Sequence, residues 1–185
     1  MTQRRLPRPG EILPLIGRRD PILTRLQARL ERCASIGDIR AMARRRVPRS
    51  MFDYTDGAAG SELSLSRSRR AYARVEFTPR VLRNVADVDP SVTMLGKRSE
   101  LPFAFGPTGF TRMMHYIGEP AVSRVAGQAG IPFSLSTLGT TSVEDLAAAT
   151  PDTRRWFQLY VSRDHDSAEA LVKRAADSGY DTLIL

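Results

Sequence analysis

The sequence has very little cysteine: Cys33 is the single one among 185 residues. One cysteine cannot form a disulfide within the chain, so nothing indicates an oxidising compartment and we expect the reducing cytoplasm. Long apolar runs are also missing, since none approaches the roughly 18 residues of a membrane-spanning helix. The short apolar segment 12–16 is interrupted by Pro14 and lacks a small-residue cleavage site. We therefore expect neither a transmembrane helix nor a secretory signal.

Acidic residues are scarce in the first 50 positions, which hold thirteen arginines and four carboxylates for a net charge of +9. Residues 51–185 carry a net charge of −1, so the excess of +8 lies in the N-terminal part. Such an arm is either a solvated extension or a site for the phosphates of nucleic acid or of a membrane surface. The triplet Arg44–Arg46 follows an apolar helix pattern and is predicted to end that helix at its negative pole.

Apolar residues recur at spacings of three and four between residues 21 and 72, which predicts short helices. The predicted helices cover 22–30, 36–46, 51–55 and 61–72. Ser61 is the expected N-cap of the last one. Two brief antiparallel strands are predicted at 80–82 and 92–95, among the turn signals Pro79, Pro90 and Gly96.

From Phe103 onward, short apolar runs alternate with amphipathic helices, as in βαβ units with a parallel sheet. The predicted strands cover 103–106, 133–136, 156–160 and 182–185. The first intervening helix is predicted at about 119–129. The second opens with a capping-box pattern at Ser142–Asp145, and the third is capped by Asp166 and runs to Ser178.

Phosphate-binding glycine motifs are absent from the β/α region. No GxGxxG follows the first predicted strand and no GxxxxGK occurs, which disfavours a doubly wound dinucleotide fold. We therefore predict an α/β fold of the (β/α)8 TIM-barrel type, truncated to about the first four strands, with N-terminal cap helices. The last strand has no following chain to cover its edge, which is the basis for expecting a truncated barrel. The expected domains are a basic arm at 1–35, cap helices and short antiparallel strands at 36–101, and half a barrel at 102–185.

Polar residues stand at the C-terminal ends of the predicted strands, where barrels bind their ligands. They are Pro107, Thr108, Gly109, Ser136, Thr137, Gln158 and Tyr160. Their position amid apolar runs predicts a ligand rim. Taken without further information, Ser136 and Gln158 are equally compatible with ordinary polar strand ends.

Four ordered motifs carry a resemblance to a known family. They are FDYTDGA at 52–58, PTGF at 107–110, FSLST at 133–137 and WFQLYV at 156–161. In this order and spacing they resemble the FMN-dependent α-hydroxy-acid dehydrogenase and oxidase family, in particular its bacterial L-lactate dehydrogenase branch. The match runs from about Ile36 to Leu185, and four motifs together are more specific than any one alone.

The resemblance implies FMN as cofactor and assigns roles to the rim. In the family, the residues matching Pro107, Thr108 and Gly109 line the flavin ring near its reactive nitrogen, where a small residue permits close approach. Ser136 matches the residue that bonds the polar edge of the flavin. Gln158 suits the pyrimidine end because its amide offers both a donor and an acceptor.

The resemblance also implies the reaction, oxidation of an L-2-hydroxy acid and most closely L-lactate to pyruvate. Tyr54 and Tyr160 match the two tyrosines that contact the substrate carboxylate and hydroxyl. A base is needed for this oxidation, but neither His115 nor His165 matches the catalytic histidine of the family. That histidine, the substrate-binding arginines, the lysine near the flavin and the phosphate site come from the later half of the barrel.

We therefore expect no catalytic residue and no metal site in this chain, weak or absent FMN binding, and no turnover by the chain alone. The complete protein is expected to be a homo-oligomer, in the cytoplasm or peripheral at the inner membrane face, with its electron acceptor left open. Nucleic acid is not expected as a partner.

Two other hypotheses remain at this point. The chain is either a non-catalytic half-barrel that a partner chain completes, or a protein that binds anionic surfaces through its basic arm.

Overall fold

The computed structural model describes residues 25–185, with side chains from Gln27 onward. Contacts divide the chain into two compact units, with the boundary between Phe52 and Asp53. Most of the predicted basic arm, residues 1–24, lies outside the described residues. Within the part that is described, no helix is long and apolar enough to cross a membrane.

Four helices come first: α1 at Arg25–Leu30, α2 at Ile36–Arg44, α3 at Arg49–Asp56 and α4 at Leu63–Ala73. A capping box opens α2, because Ser35 Oγ accepts the Asp38 N–H while Asp38 Oδ2 accepts the Ser35 N–H. The helix ends at Arg44 with Arg45 as its C-cap, so the basic triplet does lie at the C-terminal end of the helix.

The predicted N-cap of α4 is wrong. Glu62, not Ser61, occupies the cap position with a left-handed φ of 59° and no side-chain cap bond. The Glu62 carboxylate instead accepts the backbone N–H of Ala58 at 3.1 Å. This contact closes the loop before the helix, but it does not cap the N–H groups of the first turn of α4.

Of the two antiparallel strands predicted at 80–82 and 92–95, the first is wrong and the second is confirmed. Leu82 has a φ of 58°, which a strand does not accommodate. Strand β1, Val92–Met94, pairs antiparallel with β2, Lys97–Ser99. Leu95 and Gly96 join them with φ values of 48° and 78°, the two positive values that a type I′ hairpin turn requires.

Hydrogen bonds and ion pairs join the hairpin to residues just before two of the parallel strands. Arg154 donates to the carbonyl of Met94 at 2.7 Å and to Asp181 Oδ2 at 2.8 Å. Lys97 Nζ lies 3.0 Å from the same carboxylate oxygen. Burial opposes ionisation of Asp181, yet the hydrogen bonds from Arg154 and Lys97 hold its pKa below the ordinary value.

Three parallel strands form the main sheet in the order β3, β4, β5. Their bounds are Phe133–Ser136, Arg155–Gln158 and Thr182–Ile184. The connecting helices are α5 at Glu119–Gln128, α6 at Val143–Ala149 and α7 at His165–Asp177, and a 3₁₀ turn at Thr111–Met113 precedes α5. The strand predicted at 133–136 therefore has the observed bounds, and those predicted at 156–160 and 182–185 are present with ends that differ by one or two residues.

The first predicted strand, 103–106, is reduced to one bridge between Phe105 and Phe133. Phe105 donates to the carbonyl of Pro132 and accepts from the N–H of Ser134, both at 3.0 Å. To extend the ladder in one direction, the first segment would need an N–H group at residue 107. To extend it in the other direction, the chain just before β3 would need an N–H group at residue 132. Both are prolines without an N–H, so the ladder stops on each side of Phe105.

The helix cap at Ser142 is confirmed, since its side chain accepts the Asp145 N–H. The cap predicted at Asp166 is wrong, because Asp164 is the N-cap of α7 and accepts the N–H of Ser167. Asp164 and Asp166 are both of a residue type that favours the N-cap position. The hydrogen bond from the Ser167 N–H to the Asp164 side chain identifies Asp164 as the cap.

The two faces of the sheet differ in character. Alternate residues Phe133, Leu135 and Phe157 belong to a buried apolar cluster with the helices. The period of two places Ser134, Ser136, Trp156 and Gln158 on the opposite face. The other members of the cluster are Ala126, Ile131, Val143, Leu146, Leu159, Ala168, Ala175 and Tyr180.

Candidate functional site

Ser136 and Gln158 stand side by side at the C-terminal ends of β3 and β4. They are register partners in the parallel pair, and both are more than nine-tenths buried. Ser136 Oγ donates to Gln158 Oε1 at 3.0 Å. This bond fixes which end of the amide faces the serine and directs the amide NH2 away from it.

A turn between Pro107 and Phe110 lies against the same strand end. The N–H of Phe110 donates to the carbonyl of Leu138 at 3.0 Å, and the N–H of Leu138 donates to Ser136 Oγ at 3.1 Å. A Cβ on Gly109 would lie 2.9 Å from the Cβ of Leu138. The missing side chain of Gly109 therefore makes room for Leu138, a physical reason that the sequence did not reveal.

Thr108 and Pro107 are exposed in the same turn. The Thr108 carbonyl accepts a long hydrogen bond of 3.4 Å from Thr111 Oγ1. This turn therefore continues directly into the 3₁₀ segment, and its outer surface is open to solvent.

Tyr160 is joined to the group through its backbone, since its N–H donates to Thr137 Oγ1 at 3.0 Å, while its side chain is exposed. Tyr54 lies on α3 and is also exposed. Within residues 27–185, no hydrogen bond or ring contact links Tyr54 to the strand-end residues. The structure thus brings Gly109, Ser136, Gln158 and Tyr160 together and leaves Tyr54 outside their direct contacts.

Thr137 was predicted only as part of the ligand rim, with no binding role of its own. Its Oγ1 donates to the carbonyl of Gln158 at 2.6 Å and accepts the N–H of Tyr160. The signal for it was present in the sequence as a hydroxyl residue directly after Ser136, but its partners lie 21 and 23 residues away. Sequence reasoning alone could not specify them.

A residue that sequence reasoning missed is Glu119, which is 1% exposed at the start of α5. Its Oε1 accepts the N–H of Thr140 at 2.7 Å, and its Oε2 accepts the hydroxyls of Thr140 and Thr141 at 2.7 and 2.8 Å. Burial would raise the pKa of Glu119, but these hydrogen bonds outweigh it and lower the pKa below the ordinary value. An ionised carboxylate thus holds the loop that carries Leu138.

The two histidines lie away from these contacts. His115 stacks on Tyr116 with ring centroids 4.7 Å apart, and its Nδ1 accepts the N–H of Ile117 at 3.4 Å. His165 is the first residue of α7. Among the residues that the structure describes, no group of three or more potential ligands could hold a metal ion.

The donor set at the strand ends suits a flavin ring. Gln158 Oε1 is occupied by Ser136, whereas its NH2 group finds no acceptor among residues 27–185 and is not sealed from solvent. An amide donor of this kind can bind a ring carbonyl, and the pyrimidine end of a flavin carries two. Neighbouring Ser136 Oγ and the open turn at 107–110 complete a surface with polar and apolar parts.

Comparison with known proteins supports this interpretation. Residues 43–185 match the family model described as FMN-dependent dehydrogenase. The chain is 47% identical over 184 residues to a putative L-lactate dehydrogenase of Mycobacterium tuberculosis, covering all of this chain and 44% of that protein. It is 39% identical over 150 residues to a 4-hydroxymandelate oxidase of Amycolatopsis orientalis, covering 81% of this chain and 42% of the relative.

Solved structures show the same fold. A mandelate oxidase mutant with the C4a-OH-FMN adduct has a TM-score of 0.74 and 39% sequence identity, covering 79% of this chain and 44% of that one. The chain spans less than half the length of these relatives. Its fold is that of the (β/α)8 barrel family, and the cofactor predicted from the motifs, FMN, is the one that the matched family requires. The chain belongs to the FMN-dependent dehydrogenase family.

Proposed function

We propose that this chain supplies the flavin-ring and substrate-facing residues of an FMN-dependent L-2-hydroxy-acid dehydrogenase that oxidises L-lactate to pyruvate. The observation that carries the proposal is the hydrogen-bonded pair Ser136 and Gln158, with the Gly109 turn packed beside it. The relative at 47% identity, a putative L-lactate dehydrogenase, supports lactate as the substrate.

In this proposal each strand-end residue has a binding task. Gln158 donates its NH2 group to a carbonyl of the pyrimidine ring, and Ser136 holds the amide in that orientation. The backbone of Pro107, Thr108 and Gly109 forms the wall beside the reactive part of the ring. When bound, FMN accepts the two electrons that leave the substrate.

The two tyrosines orient the substrate. A phenol is a neutral donor that can bind a carboxylate or a hydroxyl without adding charge. Tyr160 lies two residues after Gln158, the last residue of β4, so we expect its side chain at the same end of the sheet. Tyr54 lies on α3, and the side chains of both tyrosines are exposed and therefore accessible to an anion.

The family resemblance assigns no base, no carboxylate-binding arginine and no phosphate site to these 185 residues. We therefore propose that the chain alone binds flavin weakly, with a Kd of about 0.1 mM or weaker, and does not turn over lactate. The proposed organisation is the one set out from the sequence: an arm at 1–35, a cap region at 36–101 and barrel strands at 102–185. The proposed working form of the complete protein is a homo-oligomer in the cytoplasm or at the inner membrane face.

The test compares FMN with riboflavin, which has the same ring and no phosphate. Titration of flavin fluorescence with the 185-residue chain is expected to give equal affinities within about threefold, because charge-assisted phosphate contacts are assigned elsewhere. Gln158→Met should weaken both ligands, whereas Gln128→Met, on the exposed face of α5, should change neither.

Two results would contradict the proposal. FMN binding much tighter than riboflavin binding would show that these residues hold the phosphate. Flavin that co-purifies at near-unit stoichiometry, together with lactate-dependent dye reduction, would show that the chain is active by itself.

A further inference from the structure

The regular backbone hydrogen bonding between the parallel strands β3 and β4 ends where the candidate site begins. The last backbone bond of the ladder runs from the N–H of Thr137 to the carbonyl of Gln158 at 2.9 Å. In a regular parallel ladder, the next bond would join the N–H of Tyr160 to the carbonyl of Thr137. Here the N–H of Tyr160 donates to the side-chain hydroxyl of Thr137 instead, at 3.0 Å. The Thr137 side chain therefore replaces a backbone carbonyl as the acceptor at the point where the two backbones diverge.

The same hydroxyl is used a second time. Thr137 Oγ1 donates its proton to the carbonyl of Gln158 at 2.6 Å. The hydroxyl thus binds the two peptide groups on either side of Leu159, donating to one and accepting from the other. Leu159 is 7% exposed in the apolar cluster, and its own N–H donates to the carbonyl of Ile184 at 2.9 Å.

These contacts define the path of three consecutive residues. Leu159 is anchored in the core on one face of the sheet, so Gln158 and Tyr160 project from positions that depend on the backbone conformation at Leu159. The Thr137 hydroxyl restrains that conformation from both sides. Removal of the hydroxyl would leave the Tyr160 N–H without its acceptor and allow the strand end to move.

We propose that Thr137 is a positioning residue, which holds Gln158 for the flavin ring and Tyr160 for the substrate. The ligand consequences rest on the proposed function, whereas the restraint itself is a property of the fold. The chemistry demands a hydroxyl on Cβ, because valine has the same shape and can neither donate nor accept, while serine keeps both capacities.

The first experiment measures amide hydrogen exchange by NMR in the 185-residue chain, in Thr137→Val, in Thr137→Ser and in a control. The control is Thr182→Val on β5, whose hydroxyl binds the Asp181 side chain and not the strand end. We expect the Tyr160 amide to exchange about fivefold faster in Thr137→Val, as loss of one hydrogen bond implies. Thr137→Ser should restore the wild-type rate, and Thr182→Val should leave it unchanged.

Two exchange results would overturn the proposal. One is a Tyr160 rate in Thr137→Val within twofold of wild type. The other is an equal acceleration at the Phe133 amide, which bonds the carbonyl of Arg154 at the opposite end of the pair. That pattern would mean that the hydroxyl supports the whole sheet and not the strand end.

The second experiment measures riboflavin affinity of the same variants. We expect Thr137→Val to bind about threefold to tenfold more weakly and Thr137→Ser to bind like wild type. Unchanged affinity in Thr137→Val, in a chain whose Tyr160 amide has become labile, would refute the positioning role for the ligand. If no variant, wild type included, binds riboflavin while the exchange pattern holds, the restraint stands and the proposed flavin binding by this chain is what fails.

Discussion

The buried carboxylate of Glu119 offers a quantitative prediction. In Glu119→Ala, the N–H of Thr140 and the hydroxyls of Thr140 and Thr141 all lose their acceptor. At about 1 kcal/mol for each interaction, the free energy of unfolding should fall by about 3 kcal/mol. Glu119→Gln keeps one carbonyl oxygen for the Thr140 N–H and should lose about half as much, since its NH2 group can donate to the hydroxyl oxygens.

The pH dependence of Glu119 has a defined sign. Its pKa is lower in the folded chain than in the unfolded chain, so the ionised form stabilises the fold. This contribution is complete above the ordinary glutamate pKa of about 4.5 and is lost as the pH falls through the lower folded value. Stability of the wild type should therefore decrease more steeply below pH 5 than stability of Glu119→Gln.

Urea denaturation at pH 7 and at pH 4 measures both effects. Glu144→Ala and Glu144→Gln serve as the matched controls, because Glu144 binds Arg174 at 2.7 Å on the exposed surface, where an ion pair contributes little. Equal losses for Glu119→Ala and Glu144→Ala would refute the argument that burial makes the Glu119 contacts strong. So would parallel pH profiles of the wild type and Glu119→Gln.

Two further changes test the fold outside the site, both by urea denaturation. Gly96→Ala should lower the free energy of unfolding by about 1 kcal/mol because Gly96 has a φ of 78° in the hairpin turn. Gly106→Ala should lower it clearly less, because Gly106 has open space around its Cβ position and no positive φ. The reverse order would contradict the turn assignment. Tyr180→Phe should cost about 1 kcal/mol because the buried phenol donates to the carbonyl of Val143 at 3.1 Å. Burial raises the pKa of that phenol, so the loss should be the same at pH 6 and pH 9, and a loss confined to one of them would count against it.

The parallel strands could be predicted because local pattern and tertiary structure agree there. Each of the runs at 133–136, 156–160 and 182–185 is short, apolar and separated from the next by an amphipathic helix. The bridge at Phe105 shows the opposite case. Pro107 and Pro132 were both visible in the sequence, but their effect follows only once the register pairs Phe105 with Phe133.

The site could be predicted as a set of strand-end residues but not as a network. Ser136 and Gln158 were found through their positions after apolar runs and through the family motifs. Thr137 and Glu119 act through partners 21 to 23 residues away, and no local pattern encodes which hydroxyl meets which peptide group. The cap at Glu62 escaped prediction for a related reason, since its side chain bonds the loop behind it.

The two prolines that border the Phe105 bridge have a consequence for how this barrel tolerates change. Because the ladder cannot extend past Pro107, the turn from 107 to 110 is fastened to the rest of the molecule through Leu138 and not through a continuous run of strand bonds. Substitutions at the exposed residues Pro107 and Thr108 should therefore cost little folding free energy, whereas a side chain at Gly109 would collide with Leu138 and disturb the contact that holds the turn.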